Sequence, residues 1–245
     1  MSCLKLYEPL NTLKPVAENV WIVDGPEISM RYVVGSLPFT TRMTVLRLSD
    51  GGLVLHSPTP LTEKLAADIS ALGEVRTLLA PNKLHYWWIG DWKARFPDAT
   101  AYAAPGVGEA AKKRFTGFEA EITTAPLEWG REIACLPLVG GFMTELELFH
   151  RPSKTLVLTD TIENFEPGRV TCSHMRFLMR VGGVTDPDGS MPRDLRFTFI
   201  GRKEAARIAA KEMLAWSPER VLLAHGRCYL KNGEAELARA LRWLI

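Results

Sequence analysis

The chain has 245 residues, of which 47% are hydrophobic and 24% charged, enough apolar mass to build a core without disulfide or metal staples. Thirty Lys and Arg against 28 Asp and Glu leave a formal charge of +2, which argues against a dedicated nucleic-acid partner and against a disordered chain. Met1 to Lys5 lacks the apolar stretch of a secretory signal, and no apolar run approaches the roughly 18 residues that span a bilayer. In chain order, Val20 to Val23 and Tyr32 to Val34 read as short strands. Thr44 to Leu48 and Leu53 to Leu55 form a hairpin across Ser49-Asp50-Gly51-Gly52, because Asp-Gly supplies the positive φ of a tight turn. Thr59-Pro60 reads as a helix cap and first turn, followed by Leu61, Leu65, Ile69 and Leu72 at helical spacing and a stop at Gly73. Val75 to Ala80 reads as a buried strand, Tyr86 to Phe96 as a helix and Thr100 to Ala103 as a strand. A helix from Val107 to Phe115 follows, then strands at Ile133–Leu136, Glu145–Phe149 and Leu156–Thr159. From Thr161 to Phe199 the pattern is irregular. Between Arg169 and Lys203 seven Lys and Arg face three Asp; such a long irregular stretch is functional or disordered. A helix over Lys203–Trp216, a strand at Val221–Leu223 and a helix from Glu234 to Leu244 complete the chain, read as one domain over residues 1–245.

Four of these strands run into a chemically competent side chain. Leu53-Val54-Leu55 ends at His56, and Thr77 to Ala80 leads through Pro81-Asn82-Lys83 to His85. Leu156 to Thr159 ends at Asp160, and Val221 to Ala224 ends at His225. Carboxyl ends of strands are where α/β folds gather ligand-binding residues. Imidazole and carboxylate are donors that zinc, iron or manganese accept. The same residues also suit plainer roles: His56 bonding a turn, His85 packing as an aromatic, Asp160 capping the next turn. Cys3, Cys135, Cys172 and Cys228 stand singly, without a C-x-x-C pair; they read as reduced thiols, and with them a cytoplasmic location. No phosphate-binding loop, dinucleotide fingerprint or nucleophile elbow occurs. Trp87, Trp88 and Trp92 fall on the expected helix, either packing on the sheet or walling a pocket.

The ordered series of Asp-Gly-Gly hairpin, apolar strand, helix, His-bearing loop, Leu158-Thr159-Asp160 and Ala224-His225-Gly226 resembles the metallo-β-lactamase superfamily. More closely, His56-Ser57-Pro58 and Pro81-Asn82-Lys83-Leu84-His85, with Trp92 and Phe96-Pro97-Asp98-Ala99, resemble one branch of it. The likeness runs from about Val16 to Leu244 and implies a four-layer αββα sandwich, an α/β fold. It also implies where this chain departs. The superfamily's His-x-His-x-Asp-His loop falls on Lys83-Leu84-His85-Tyr86-Trp87-Trp88, where only His85 keeps a ligand. The mid-chain histidine would fall near Gly140-Gly141-Phe142 and is missing, while Asp160 is similar to the bridging aspartate and His225 to the last histidine. A two-zinc β-lactamase is thereby set aside. What the resemblance leaves is one divalent metal, zinc or iron, on His85, Asp160 and His225, with His56 as a fourth ligand or neighbour. Lys83 would pair an anionic group beside His85 and Asp160. Two readings follow: a single-metal, hydrolase-like enzyme for a small anionic substrate, or a non-catalytic ligand-binding scaffold that has lost its metal. Neither involves nucleic acid or a membrane.

Overall fold

The computed structural model describes residues 3–31 and 35–245, so the strand expected at Tyr32 to Val34 lies outside the described residues. Chain order gives β1 (Lys14–Ala17), β2 (Val20–Asp24), β3 (Ile28–Arg31), β4 (Ser36–Phe39), β5 (Arg42–Arg47), β6 (Gly52–His56), α1 (Glu63–Ser70) and β7 (Glu74–Ala80). Next come α2 (Ile89–Arg95), β8 (Thr100–Ala103), α3 (Val107–Ala111), β9 (Ala120–Glu121), β10 (Ile133–Val139), β11 (Thr144–His150) and β12 (Thr155–Val157). The last part holds α4 (Ser173–Gly182), α5 (Arg193–Phe197), α6 (Lys203–Ala215), β13 (Arg220–Leu222) and α7 (Gly233–Leu241).

The first seven-stranded sheet runs β1-β2-β5-β6-β7-β8-β9 and the second, four-stranded, runs β10-β11-β12-β13. Strands β6, β7 and β8 are mutually parallel, as are β12 and β13, so the chain leaves each set at one edge. β3 and β4 pair as a separate hairpin. Helices α1 and α2 pack on β7, whereas α6 packs on β10 and α7 on β13. Between the sheets, Val45, Leu55 and Leu78 share one apolar core with Leu146, Leu148, Val157 and Leu222 of the second sheet. The outer face of the second sheet builds another core with Ala206, Met213 and Leu237 of its helices. These layers are the expected αββα sandwich.

The hairpin at Asp50-Gly51 forms as expected, with Gly51 at φ +89° and Asp50 Oδ1 accepting the Gly52 N–H at 3.0 Å. Three expectations are corrected. The cap of α1 is Thr62, whose Oγ1 accepts the Leu65 N–H at 3.2 Å; Thr59 lies earlier, its carbonyl taken by Trp92 Nε1 at 2.7 Å. Helix α2 starts at Ile89, because residues 82–88 are wound into turns around His85. The irregular segment carries α4 and α5. The reading of four reduced thiols is also corrected, for Cys3 and Cys172 form a disulfide while Cys135 and Cys228 are free. The N-terminal strand residues pair antiparallel with Arg169–Thr171 (Lys5 N to Arg169 O and Thr171 N to Cys3 O, both 2.8 Å), a contact no spacing reveals. Among the described residues no helix is long and apolar enough to cross a membrane.

Candidate metal centre

Strand β7 delivers Pro81, whose carbonyl accepts the Leu146 N–H of β11 at 2.9 Å, so the loop that follows is tied to the second sheet. Asn82 then turns the chain: its Oδ1 accepts the Leu84 N–H at 2.8 Å, the local bond by which Asn builds a turn. His85 thereby faces the edge where β12 and β13 end. There, Leu158 N–H reaches Leu222 O at 2.9 Å, carrying the parallel pairing one residue further before Asp160 and His225 emerge. Gly226 takes φ +85°, and a Cβ there would stand 2.1 Å from Asn164 O, so only glycine lets the chain turn after His225.

Three side chains converge. His85 Nε2 lies 3.3 Å from Asp160 Oδ2, His225 Nε2 lies 3.2 Å from Asp160 Oδ1, and the two Nε2 atoms are 3.2 Å apart. Their far sides are fixed. His225 Nδ1 donates to Thr40 O at 2.7 Å, which fixes the ring with Nε2 toward the group. Ser57, held at φ +54° after β6, bonds His85 Nδ1 through its hydroxyl at 2.7 Å. Asn82 donates to Asp160 Oδ2 at 2.7 Å, to Thr159 Oγ1 at 2.8 Å and to Glu145 Oε2 at 3.0 Å. Glu145, buried on β11, accepts the N–H groups of Thr159, Asp160 and Thr161 at 2.7, 2.9 and 3.2 Å and so sets the turn that carries Asp160. Outer partners of this kind orient metal-binding imidazoles and carboxylates.

Burial alone would raise the Asp160 pKa, but His85 and the hydrogen bonds of both imidazoles hold it well below the usual carboxylate range. Burial likewise works against a charged His85, and the carboxylate of Asp160 outweighs it, raising the pKa. Two imidazole nitrogens and a carboxylate whose donor atoms all lie within 4.8 Å of one another make a set that one divalent transition metal fits. The other such cluster among the described residues, Cys3, Cys172 and His174, has both sulfurs in the disulfide.

His56 closes β6 and is buried; it is not in the group of three. Its Nε2 has no hydrogen-bond partner, and burial, reinforced by His85, lowers its pKa to about 3, so the imidazole is neutral. The Lys83 amine lies 3.6 Å from the centre of the Phe142 ring, at the β10–β11 turn. Trp87 and Trp88, at the positions of the missing ligands, flank a narrow crevice with His85, Ser57 and Pro58, and Arg114 covers the Trp87 ring at 4.5 Å. Sequence reasoning missed Glu145, Thr40 and the role of Asn82. Glu145 and Glu147 alternate with Leu146 and Leu148, a pattern that reads as a solvated face, yet both acids are buried.

Two sheets between helix layers, with imidazole and carboxylate donors at the strand ends, define a metallo-β-lactamase fold. Solved structures agree over nearly the whole chain. A metallo-β-lactamase from Pontibacter korlensis is 13% identical with a TM-score of 0.58, covering 98% of this chain and 99% of its own. The DIM-1 metallo-β-lactamase is 15% identical at TM-score 0.63, with 98% of both chains covered. FIM-1 from Pseudomonas aeruginosa, in its mono-zinc form, is 10% identical at TM-score 0.59, covering 95% of this chain and 94% of its own. Residues 18–176 match the family model of DUF4336, a domain of unknown function, and the chain belongs to that family. No curated protein matches the chain.

Proposed function

We propose that the chain holds one divalent metal, zinc or iron, through His85, Asp160 and His225 and acts as a metal-dependent hydrolase on a small anionic ester. The observation that carries this reading is the mutual approach of the two Nε2 atoms and the Asp160 carboxylate at 3.2–3.3 Å, each with its far side already bonded. A solved structure of the same fold, that of FIM-1, is a mono-zinc form, which supports one ion as sufficient occupancy for such an edge. When bound, the ion supplies Lewis acidity toward a carbonyl or phosphoryl oxygen. His225 presents Nε2 because Thr40 O holds Nδ1–H, and Ser57 orients His85. Asn82 and Glu145 keep the carboxylate of Asp160 in place. In this reading His56, neutral and outside the group of three, is a neighbour of the centre. Lys83, whose amine rests over the Phe142 ring, is in this reading the charge that would meet the anionic part of a substrate. A second ion has no ligands at Lys83, Trp87 and Trp88.

Elemental analysis of protein purified without chelator tests the reading. About one transition metal per chain is expected, lost in His85→Ala, with ester hydrolysis lost alongside it. Close to two ions per chain would overturn the single-metal site. A second reading, a ligand-binding scaffold without catalysis, would hold its ligand elsewhere, because the crevice beside His85 has a volume of only 10 Å³, room for about one water. Near-zero metal after adding zinc or ferrous iron would leave that reading alone.

A further inference from the structure

The basic segment folds into a cavity of its own. Arg176 and Arg180 of α4, Arg193 and Arg196 of α5, and Arg242 just beyond α7 line a space of 460 Å³. Among the described residues, none of these five guanidinium groups has a carboxylate within ion-pair distance. The two acids in the same wall turn to other partners, Asp186 to Arg227 at 2.7 Å and Asp188 to Arg239 at 4.0 Å. Arg196 is held in place by Met191 O at 2.8 Å and by the Ser190 hydroxyl, and its pKa is lowered by burial, with Arg193 and Arg242 adding to the effect. Five guanidinium groups against two carboxylates already engaged with other arginines leave this wall with excess positive charge, which an entering anion relieves, and guanidinium forks match the oxygens of phosphate and carboxylate.

A second cavity, of 430 Å³, adjoins the first along Phe165, Met179 and Arg193. Its walls are mostly apolar, with Leu37 and Phe39 of β4, Leu178 and Val181 of α4, and Phe197 of α5, while Glu163 and Asp194 also reach its lining. Leu178 is 47% exposed and Phe197 71%, an apolar face left open beside the arginines. The same walls reach the candidate metal centre. The Phe39 ring meets His225 edge-on at 5.3 Å, and the Phe165 ring stacks on His225 at 6.4 Å.

We infer that the two cavities are one binding site for a soluble, single-chain amphiphilic anion, its phosphate-type head among the five arginines and its apolar chain between α4 and β4. The charge fixes the head, and the adjoining apolar walls fix the tail. An amphiphile so placed lies one aromatic ring from His225. The inference deepens the proposed function by naming a ligand class, and it rests on that reading only for the link between this site and the chemistry.

Binding is measured by calorimetry on the full chain without added metal, using n-decyl phosphate below its micelle concentration, inorganic phosphate and decanol. Decyl phosphate is expected to bind at least about tenfold tighter than either fragment, since head and tail contribute together. Arg180→Ala, at an exposed position, is expected to weaken it about tenfold, and Arg176→Ala gives the same readout should that variant not fold. Leu178→Asp is expected to weaken decyl phosphate and leave inorganic phosphate unchanged. His85→Ala should still bind, so that failure of the metal reading and failure of this one are told apart. Equal affinity for decyl phosphate and inorganic phosphate would remove the apolar cavity from the site, and unchanged affinity in both arginine variants would remove the arginines. Sedimentation with anionic phospholipid vesicles in the absence of monomer binding would assign the surface to a bilayer and overturn the proposal.

Discussion

Asn82 shapes the candidate centre from outside the group of three, through bonds on both sides of its side chain. Its amide spans three acceptors from two elements, and its carbonyl winds the turn that carries His85. Asn82→Ala leaves Asp160 and Glu145 short of a donor in a buried place, and unmet buried acceptors are costly. We expect a loss of about 2–4 kcal/mol in urea unfolding, together with loss of any ion that the proposed centre holds. A variant of wild-type stability that still binds metal would show that the turn holds without this amide. Glu147, two residues along β11 from Glu145, gives a test by pH. Burial, and then the charge of Glu145, raises its pKa well above the ordinary value, with one oxygen bonded by Thr161 Oγ1 at 2.5 Å and the other unpartnered. A raised carboxyl pKa means that the unfolded chain releases its proton at a lower pH than the folded one. Stability therefore falls as pH rises from about 4.3 toward the folded value. Glu147→Gln removes that dependence, so its melting temperature relative to wild type should be higher at pH 8 than at pH 5. A difference that does not change with pH would mean that Glu147 ionises in the folded state as it does in the unfolded one.

At the level of elements, the two sheets are joined at the site by Arg42 of β5. Its guanidinium is buried, pairs with Asp24 at 2.7 Å, and donates to Leu223 O at 2.5 Å and Gly226 O at 2.8 Å, on either side of His225. Arg42→Met keeps the apolar stem and leaves Leu223 O with only the Cys228 thiol at 3.7 Å and Gly226 O without this donor; Asp24 retains Lys14 at 2.8 Å, so the stranded charge is moderated. We expect a loss of about 2–4 kcal/mol and weakened metal retention through a displaced His225. Intact retention would mean that Thr40 alone fixes the imidazole. This joint also marks how far the sequence can be read. His85, Asp160 and His225 were legible because each follows a short apolar strand, and parallel strands deliver their next residues to one edge. Glu145, Asn82 and Arg42 were not, because their partners lie 15, 78 and 184 positions away and their own neighbourhoods read as ordinary strand or turn. Trp87, Trp88 and Trp92 imitate helical spacing, yet the first two belong to the turns before α2. Helix α4 was missed although Met175, Leu178 and Met179 recur at helical spacing, because the Gly, Pro and Asp clusters that follow it read as loop.

For the molecule as a whole, the Cys3–Cys172 bond joins residues 169 positions apart and ties the N-terminal segment to the start of α4. Backbone pairing at Lys5 and Thr171 runs alongside it, and Leu4, Val170 and Met175 pack beneath with Phe39 and Phe165. This small core is the one that stands between the disulfide and the His225 ring, since Phe39 and Phe165 belong to both. A cross-link over so long a loop restricts the unfolded chain, and disulfides contribute about 2–4 kcal/mol in typical cases. For a chain of this size that corresponds to a fall in melting temperature of roughly 4–16 °C on reduction. Scanning fluorimetry with and without a phosphine reductant measures it, and Cys172→Ser should reproduce the reduced value and no longer respond to the reductant. In denaturant without reductant, two thiols should react, those of Cys135 and Cys228. Four reactive thiols and a melting temperature indifferent to reductant would show that the bond does not form in the purified protein, and that the Phe39–Phe165 core holds the N-terminal segment by packing and backbone pairing alone.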